Sequence, residues 1–213
     1  MTIITRSAND KLYGIFKTFW SEENTFIQCK QFAGYHGALS YLLHLMNDYD
    51  GWIVNADEDF FCTNEVLINR VIDHMKLNDF DFAGVPDGGI ISHRNNSQTN
   101  VNPFFNIFNV GKIKTKISEF DNSKSLEYMR EVAKDGRYHN MNEPFACFLY
   151  WLHLNFKGAH FTDIETTDGV NTIIKINGKP LGIHSWYSRA YGVDVAQTER
   201  IDCCIEWAVK NKV

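Results

Sequence analysis

Residues 51–61 read Gly51-Trp52-Ile53-Val54-Asn55-Ala56-Asp57-Glu58-Asp59-Phe60-Phe61, an apolar run that ends in two aspartates two positions apart. A short apolar run bounded by turn formers predicts a buried β-strand. Open α/β sheets bind their ligands beyond the carboxyl ends of the strands. In extended backbone, residues two apart point the same way. We therefore expect Asp57 and Asp59 to converge on one small volume at the rim of a crevice.

The two aspartates form a candidate metal site. Carboxylate oxygens are hard ligands that suit Mg²⁺ or Mn²⁺, ions that keep several positions for water and substrate phosphates. Acidic triplets are also common in turns, where aspartate bonds to nearby backbone. Apolar residues stand on both sides of this triplet, at 52–54 and 60–61, which is unusual for a surface turn. The sequence therefore favours Asp57 and Asp59 as metal ligands.

The first third of the chain alternates predicted strands and helices. Strands are predicted at residues 2–5, 25–29 and 51–57, and helices at 11–19, 35–46 and 63–75, the last with Thr63 as its N-cap. This alternation is typical of a doubly wound α/β protein.

The remainder of the chain mixes the two kinds of element. Strands are predicted at residues 80–85 and 103–110, helices at 125–134 and 144–154, and a closing amphipathic helix within 193–213. Asn177-Gly178 predicts a hairpin turn between strands at 172–176 and 180–183, because both positions of such a turn need a left-handed backbone.

Composition narrows the class of protein. The chain has 213 residues, 44% of them hydrophobic, which fits one domain with a substantial core. A net charge of −5 argues against a nucleic-acid partner. The five cysteines show no CxxC pairing, and no signal peptide or bilayer-length apolar run is visible. We expect a reduced cytoplasmic protein with no integral membrane segment. Peripheral attachment to a membrane surface stays open.

The segment ending at Asp57 and Asp59 resembles the DxD motif of the GT-A glycosyltransferases. The resemblance implies a single GT-A, Rossmann-like α/β domain with a mixed, mainly parallel central sheet flanked by helices. It implies a nucleotide-sugar-binding half at residues 1–62, and an acceptor-binding half with a closing C-terminal segment at 63–213. The implied reaction is metal-dependent transfer from a nucleoside-diphosphate sugar, a UDP-sugar being favoured, to a hydroxyl of a saccharide or lipid-linked saccharide. Inverting and retaining outcomes both stay open.

The same resemblance gives roles to residues outside the motif. A late histidine completes the metal sphere in several of these families, which implies His184 as third ligand to Mn²⁺ or Mg²⁺; a structural histidine is the alternative. Thr5 and Arg6, after the first strand, would contact the nucleotide beside Asp57. Arg189 would face the diphosphate as a bidentate cation, or is an ordinary surface arginine.

Two acidic residues compete for the role of general base. Glu143 precedes Pro144 at a predicted helix start, where a carboxylate is stabilised by the helix dipole. Asp87 stands in the Pro86-Asp87-Gly88-Gly89 turn, whose glycines let a substrate approach the backbone. Either one would need to lie within hydrogen-bond reach of the acceptor hydroxyl.

Two other classes of function fit parts of the sequence. A haloacid-dehalogenase-type phosphatase also ends a strand in DxD, but it expects a small residue where Phe61 stands and places that strand near the start of the domain. A non-catalytic carbohydrate- or metal-binding protein on the same fold is the second alternative. Turnover of a nucleotide sugar separates it from an enzyme.

Overall fold

The protein is described by a computed structural model over residues 1–34, 36–87, 100–124, 127 and 144–213. The described strands are β1 (Thr2–Thr5), β2 (Thr25–Gln28), β3 (Trp52–Ala56), β4 (Phe60–Cys62), β5 (Phe82–Pro86), β6 (Val101–Asn109), β7 (Gly158–His160), β8 (Ile164–Glu165), β9 (Thr172–Ile176) and β10 (Lys179–His184). The α-helices are α1 (Asp10–Thr18), α2 (Gly37–Asp48), α3 (Glu65–Leu77), α4 (Val110–Lys114), α5 (Ala146–Asn155) and α6 (Val195–Asn211). Single 3₁₀ turns lie at Lys30–Phe32, Ile117–Glu119 and Asn122–Lys124.

A six-stranded sheet in the order β2-β1-β3-β6-β5-β7 forms the centre of the α/β fold. β1 pairs in parallel with β2 and β3, and β5 pairs in parallel with β7. β6 runs antiparallel to both of its neighbours, β3 and β5. The expected mixed, mainly parallel sheet flanked by helices is confirmed.

Alternate residues of the sheet face two separate cores. Ile3 and Val54 lie in the core that packs against α1, α3 and α6, whereas Ile4 and Ile53 lie in the core that packs against α2 and α5. All four side chains are at most 1% exposed. The alternation follows from the pleat, since successive side chains of a strand point to opposite faces. Burial on both faces explains why the strands read as near-continuous apolar runs.

The connections from β1 to β3 create a topological switch point. The chain leaves β1 through α1 to β2 on one side, then returns through α2 to β3 on the other side of β1. α1 and α2 pack on opposite faces of the sheet. A crevice opens where such connections diverge, beyond the carboxyl ends of the two strands. Those ends here carry Arg6, after β1, and Asp57, after β3.

A second sheet, in the order β4-β10-β9-β8, packs beside the first. β4 follows the acidic turn directly and pairs antiparallel with β10, with His184 opposite Phe60. Gly182 permits this close pairing, because a Cβ there would meet the Phe60 ring at 2.5 Å and the Phe61 carbonyl oxygen at 2.8 Å. The pairing brings the end of β10 to the end of β3.

Most predicted elements are confirmed, with small changes at their ends. The predicted hairpin is present, and Asn177 and Gly178 both have positive φ, 51° and 74°. The prediction that Thr63 caps α3 is wrong. The N-cap is Asn64, whose side chain accepts from the Leu67 N–H, while the Thr63 hydroxyl donates to the Pro180 carbonyl on β10. The predicted helix at 125–134 falls outside the described residues, apart from residue 127.

All five cysteines are free thiols, and all except Cys203 are buried. In the described ranges, none of the helices has the length and apolar character needed to cross a bilayer.

Candidate metal and phosphate site

The acidic triplet lies in a tight turn between β3 and β4. The Phe60 N–H donates to the Asp57 carbonyl at 3.0 Å, and the Asp57 N–H donates to the Phe104 carbonyl on β6 at 2.7 Å. The assumption that Asp57 and Asp59 converge because their backbone is extended is therefore wrong, since β3 ends at Ala56. Their side chains nevertheless meet. One ligand atom from each of Asp57, Asp59 and His184 lies within 4.8 Å of the others.

Asp59 and His184 form a buried pair at the centre of this cluster. His184 Nε2 lies 3.1 Å from Asp59 Oδ1, and the Ser185 hydroxyl donates to Asp59 Oδ2 at 3.1 Å. Burial raises the pKa of Asp59, but His184 and the hydroxyls of Ser188 and Ser185 outweigh it, so that the pKa is lowered overall. Asp59 is therefore an ionised carboxylate at neutral pH, as a metal ligand has to be.

The His184 imidazole is fixed in orientation by aromatic neighbours. It stacks on the Phe104 ring at a centroid distance of 4.0 Å and also contacts Trp186. Its Nδ1 atom is buried and has no hydrogen-bond partner among the described residues. Buried polar atoms are nearly always paired in folded proteins. The nitrogen that faces the carboxylates is Nε2, which is therefore the atom available to an ion held by this cluster.

Asp57 faces two arginines across the crevice. Burial raises the pKa of Asp57 to about 6. The positive charges of Arg6 and Arg189 oppose that rise, and the negative charge of Asp59 adds to it. Arg6 Nη1 is buried without a hydrogen-bond partner among the described residues, whereas Arg189 is exposed. Two guanidinium groups beside a carboxylate cluster can bind an anion that also binds a cation held by the carboxylates.

Glu58, between the two aspartates, ties the acidic turn to the loop after β1. Its carboxylate accepts from the Ser7 hydroxyl and, at 3.1 Å, from the Asn9 N–H at the start of α1. Burial raises the pKa of Glu58 to about 7, although both hydrogen bonds lower it. The carboxylate thereby fixes the backbone that follows Arg6 relative to the acidic turn.

These side chains open onto a cleft of about 420 Å³. Its described lining consists of Arg6, Ala8, Ala33, Ala38, Asp57, Glu58, Asp59, Asn102, Pro103, Pro144, Phe145, His184, Trp186, Tyr187, Ser188, Arg189, Ala190 and Gln197. A volume of this size is in the range of small-molecule and cofactor sites. The cleft combines a carboxylate and imidazole cluster, two cations and several aromatic faces.

The other predicted site residues, Thr5, Asp87 and Glu143, are not among the described residues that line the cleft. Thr5 is fully buried, and its hydroxyl has no partner among the described residues. Asp87 is 2% exposed and accepts a hydrogen bond from the Asn102 amide at 2.6 Å. Asn102 lines the cleft, whereas neither Thr5 nor Asp87 is among its described lining residues. Glu143 lies outside the described residues.

Several residues of the site were missed by the sequence analysis. Ser185 and Ser188 hydrogen-bond to Asp59, and their position directly after His184 was a usable signal. The DxD motif is defined by its two outer aspartates, so it predicts no role for Glu58. Arg200, on α6, donates to backbone carbonyls of the loop after His184, and no local pattern pointed to it.

Comparison with known proteins gives no family. No family model and no curated protein matches the chain. Among solved structures, the galactosyltransferase LgtC in complex with donor and acceptor sugar analogs aligns over 100% of this chain and 97% of its own, with 12% identity and a TM-score of 0.48. An active-site mutant of LgtC aligns over 75% and 72%, with 14% identity and a TM-score of 0.40. The A197 protein from STIV aligns over 81% and 88%, with 11% identity and a TM-score of 0.42. Similarity at this level carries no argument about function, which has to be inferred from the site itself.

Proposed function

We propose that the protein is a metal-dependent glycosyltransferase that transfers a sugar from a nucleoside-diphosphate sugar to an acceptor hydroxyl. The observation that carries the proposal is the convergence of Asp57, Asp59 and His184 within 4.8 Å at the switch point of the sheet. The resemblance of residues 51–61 to the DxD segment of GT-A enzymes supports the same reaction class. Residues 1–62 would bind the donor, and 63–213 would bind the acceptor and include the closing C-terminal segment, from which His184 and Arg189 reach the donor site.

The residues present fit a divalent cation. Two carboxylates and an imidazole form a mixed oxygen and nitrogen donor set suited to Mn²⁺, with Mg²⁺ as the alternative. The unpaired Nη1 of Arg6, a residue that lines the cleft, is a buried polar atom that a bound diphosphate would partner. A cation held by Asp57, Asp59 and His184 would supply positive charge that stabilises the leaving nucleoside diphosphate.

The protein's own groups perform the other tasks of such a reaction. Arg6 and Arg189 stabilise the nucleoside diphosphate as its negative charge grows, a form of fixed electrostatic catalysis. Glu58 holds the loop that carries Arg6. Thr5 is fully buried and does not line the cleft, so we assign it no contact with the nucleotide. Asp87, oriented by Asn102, or Glu143 accepts the proton of the acceptor hydroxyl.

The test is calorimetric titration of UDP and GDP into the protein, with Mn²⁺ and again with EDTA. We expect tight binding of one nucleotide that EDTA abolishes, followed by turnover of the matching nucleotide sugar with saccharide acceptors. Binding without turnover would favour a non-catalytic binding protein. The absence of binding to either nucleotide, with or without metal, would contradict the proposal.

A matched pair of variants assigns any binding to this cluster. Asp59→Ala removes the central carboxylate and should abolish metal-dependent nucleotide binding while the far-ultraviolet circular dichroism stays native. Asp73→Ala removes an exposed aspartate of α3 and should change neither the nucleotide affinity nor the circular dichroism. Unchanged nucleotide affinity in Asp59→Ala would show that the nucleotide binds elsewhere.

A further inference from the structure

The loop after His184 has an unfavourable backbone. Trp186 and Tyr187 are consecutive non-glycine residues with φ of 59° and 53°. Residues with a Cβ atom disfavour this left-handed region of the backbone. Two consecutive residues adopt it only where contacts with the rest of the protein impose the conformation. Residues 185–189 thus adopt a shape that their own sequence does not favour.

Arg200 supplies the contacts that impose this shape. From α6, its Nη1 donates to the Ser185 carbonyl, and its Nη2 donates to the carbonyls of Trp186 and Tyr187. One planar guanidinium can serve three carbonyls because it presents five N–H donors in a rigid fork. A lysine ammonium at the same place would lack that geometry.

The three carbonyls held by Arg200 belong to Ser185, which bonds to Asp59, and to the two residues that lead on to Ser188 and Arg189. The Ser185 N–H donates to the Asp59 carbonyl at 3.1 Å, and the Ser185 hydroxyl donates to the Asp59 carboxylate. The Ser188 hydroxyl also bonds to that carboxylate, and Arg189 acts on Asp57 by its charge. Arg200 itself is not among the described residues that line the cleft. Its effect on a ligand would therefore pass through residues 185–189.

We propose that Arg200 is a positioning residue, which fixes residues 185–189 so that Asp59 binds Mn²⁺ and Arg189 meets the diphosphate. This inference rests on the proposed function for the identity of the ligands. It predicts that loss of the guanidinium weakens binding of the metal although no metal ligand has been changed. Residues that bond directly to a metal ligand typically contribute about 10- to 100-fold in affinity. Arg200 acts one contact further away, through Ser185, so we expect the lower end of that range.

The test compares Arg200→Ala, Arg200→Lys and the control Arg70→Ala, which removes an exposed arginine of α3. Affinities for Mn²⁺ alone, and for UDP in the presence of Mn²⁺, are measured by calorimetry, and thermal unfolding is recorded for each variant. We expect both Arg200 variants to bind Mn²⁺ about 10-fold more weakly than the wild type. Arg70→Ala should bind as the wild type does. Low-millimolar guanidinium should restore Mn²⁺ affinity to Arg200→Ala but not to Arg200→Lys, in which the lysine side chain occupies the site.

The outcomes separate the two proposals. Wild-type Mn²⁺ affinity in both Arg200 variants would overturn the positioning role and leave the proposed function intact. A loss of affinity in proportion to unfolding, with no recovery in guanidinium, would assign Arg200 to stability alone and also overturn it. If the wild type binds neither Mn²⁺ nor UDP, the proposed function fails first and the positioning role fails with it.

Discussion

The imidazole of His184 lies flat on the phenyl ring of Phe104, with 4.0 Å between the centroids and 1° between the planes. The backbone carbonyl of the same phenylalanine accepts the N–H of Asp57 at 2.7 Å. Phe104 thus contacts two of the three candidate metal ligands, one through its ring and one through its backbone. It lies on β6, the antiparallel strand at the middle of the sheet, which is a rigid support for both contacts.

Replacing Phe104 by leucine should weaken metal binding without unfolding the protein. Leucine keeps the backbone bond to Asp57 and most of the buried apolar volume, but it removes the flat surface that orients the imidazole. We expect Mn²⁺ affinity to fall by about 10-fold, as for other residues that orient a metal ligand. Calorimetric titration of Mn²⁺ measures it. Phe108→Leu, on the same strand in the other core, is the control, and equal affinities in the two variants would contradict the role of Phe104.

Metal affinity should depend on pH through Asp57. Burial raises the pKa of this carboxyl to about 6, with Arg6 opposing the rise. Below that pH a proton occupies the carboxylate and competes with the cation, whereas well above it the carboxylate is ionised and free to bind. We expect Mn²⁺ affinity to be constant above about pH 7 and to fall by up to about tenfold per pH unit below pH 6. An Mn²⁺ affinity that does not change between pH 5 and pH 8 would exclude Asp57 as a ligand.

Glu58 should make the metal-free protein less stable as the pH rises. Burial raises its pKa in the folded state from 4.5 to about 7. The folded state therefore holds the proton more tightly, and this contribution to stability is complete below the unfolded pKa and lost as pH rises through about 7. Between about pH 5 and pH 8 the loss should be about 2 kcal/mol of unfolding free energy.

The variant Glu58→Gln isolates that contribution, because glutamine keeps an acceptor for Ser7 or Asn9 and does not titrate. Unfolding by urea at the two pH values, in the presence of EDTA, gives the free energies. The pH dependence should be smaller in Glu58→Gln than in the wild type. Identical pH dependence in both proteins would show that Glu58 is not buried as described.

Thiol chemistry should single out Cys203. It is exposed, whereas Cys29, Cys62, Cys147 and Cys204 are buried. Burial raises the pKa of Cys62 and of Cys204 to about 12, and the thiolate is the reactive form. A disulfide reagent should therefore modify one thiol in the native protein and all five after denaturation, and none rapidly in native Cys203→Ser. Fast modification of a second thiol would contradict the described packing.

The sequence was sufficient for the parts that depend on local patterns. The strand at residues 52–56 and the turn at Asn177-Gly178 follow from apolar runs and from backbone preferences that a few residues set. The placement of Asp57 and Asp59 at the end of a strand could also be predicted from neighbouring residues alone. Their convergence was predicted for the wrong reason, since a turn rather than extended backbone brings them together.

The rest of the site depends on contacts between distant residues. His184 reaches Asp59 because β10 pairs with β4. The register of this pairing depends on packing around Gly182, which no local sequence pattern predicts. Arg200 contacts residues 185–187 only because α6 folds back over them. The left-handed backbone of Trp186 was not predictable, because tryptophan rarely adopts it without such a contact. Thr63 and Asn64 are adjacent residues of cap-forming types, so the sequence pattern that predicts Thr63 as the N-cap of α3 does not separate it from Asn64.

The pairing of β4 with β10 also has a kinetic consequence. Asp59 and His184 are 125 positions apart in the chain (184 − 59) and meet only when the second sheet has formed. A contact of such long sequence separation closes a large loop, whose entropy cost has to be offset by other contacts, so we expect it to form late during folding. The ability to capture a divalent ion should therefore emerge near the end of refolding, after the parallel strands have already assembled. A stopped-flow signal from bound Mn²⁺ would time the docking of the second sheet.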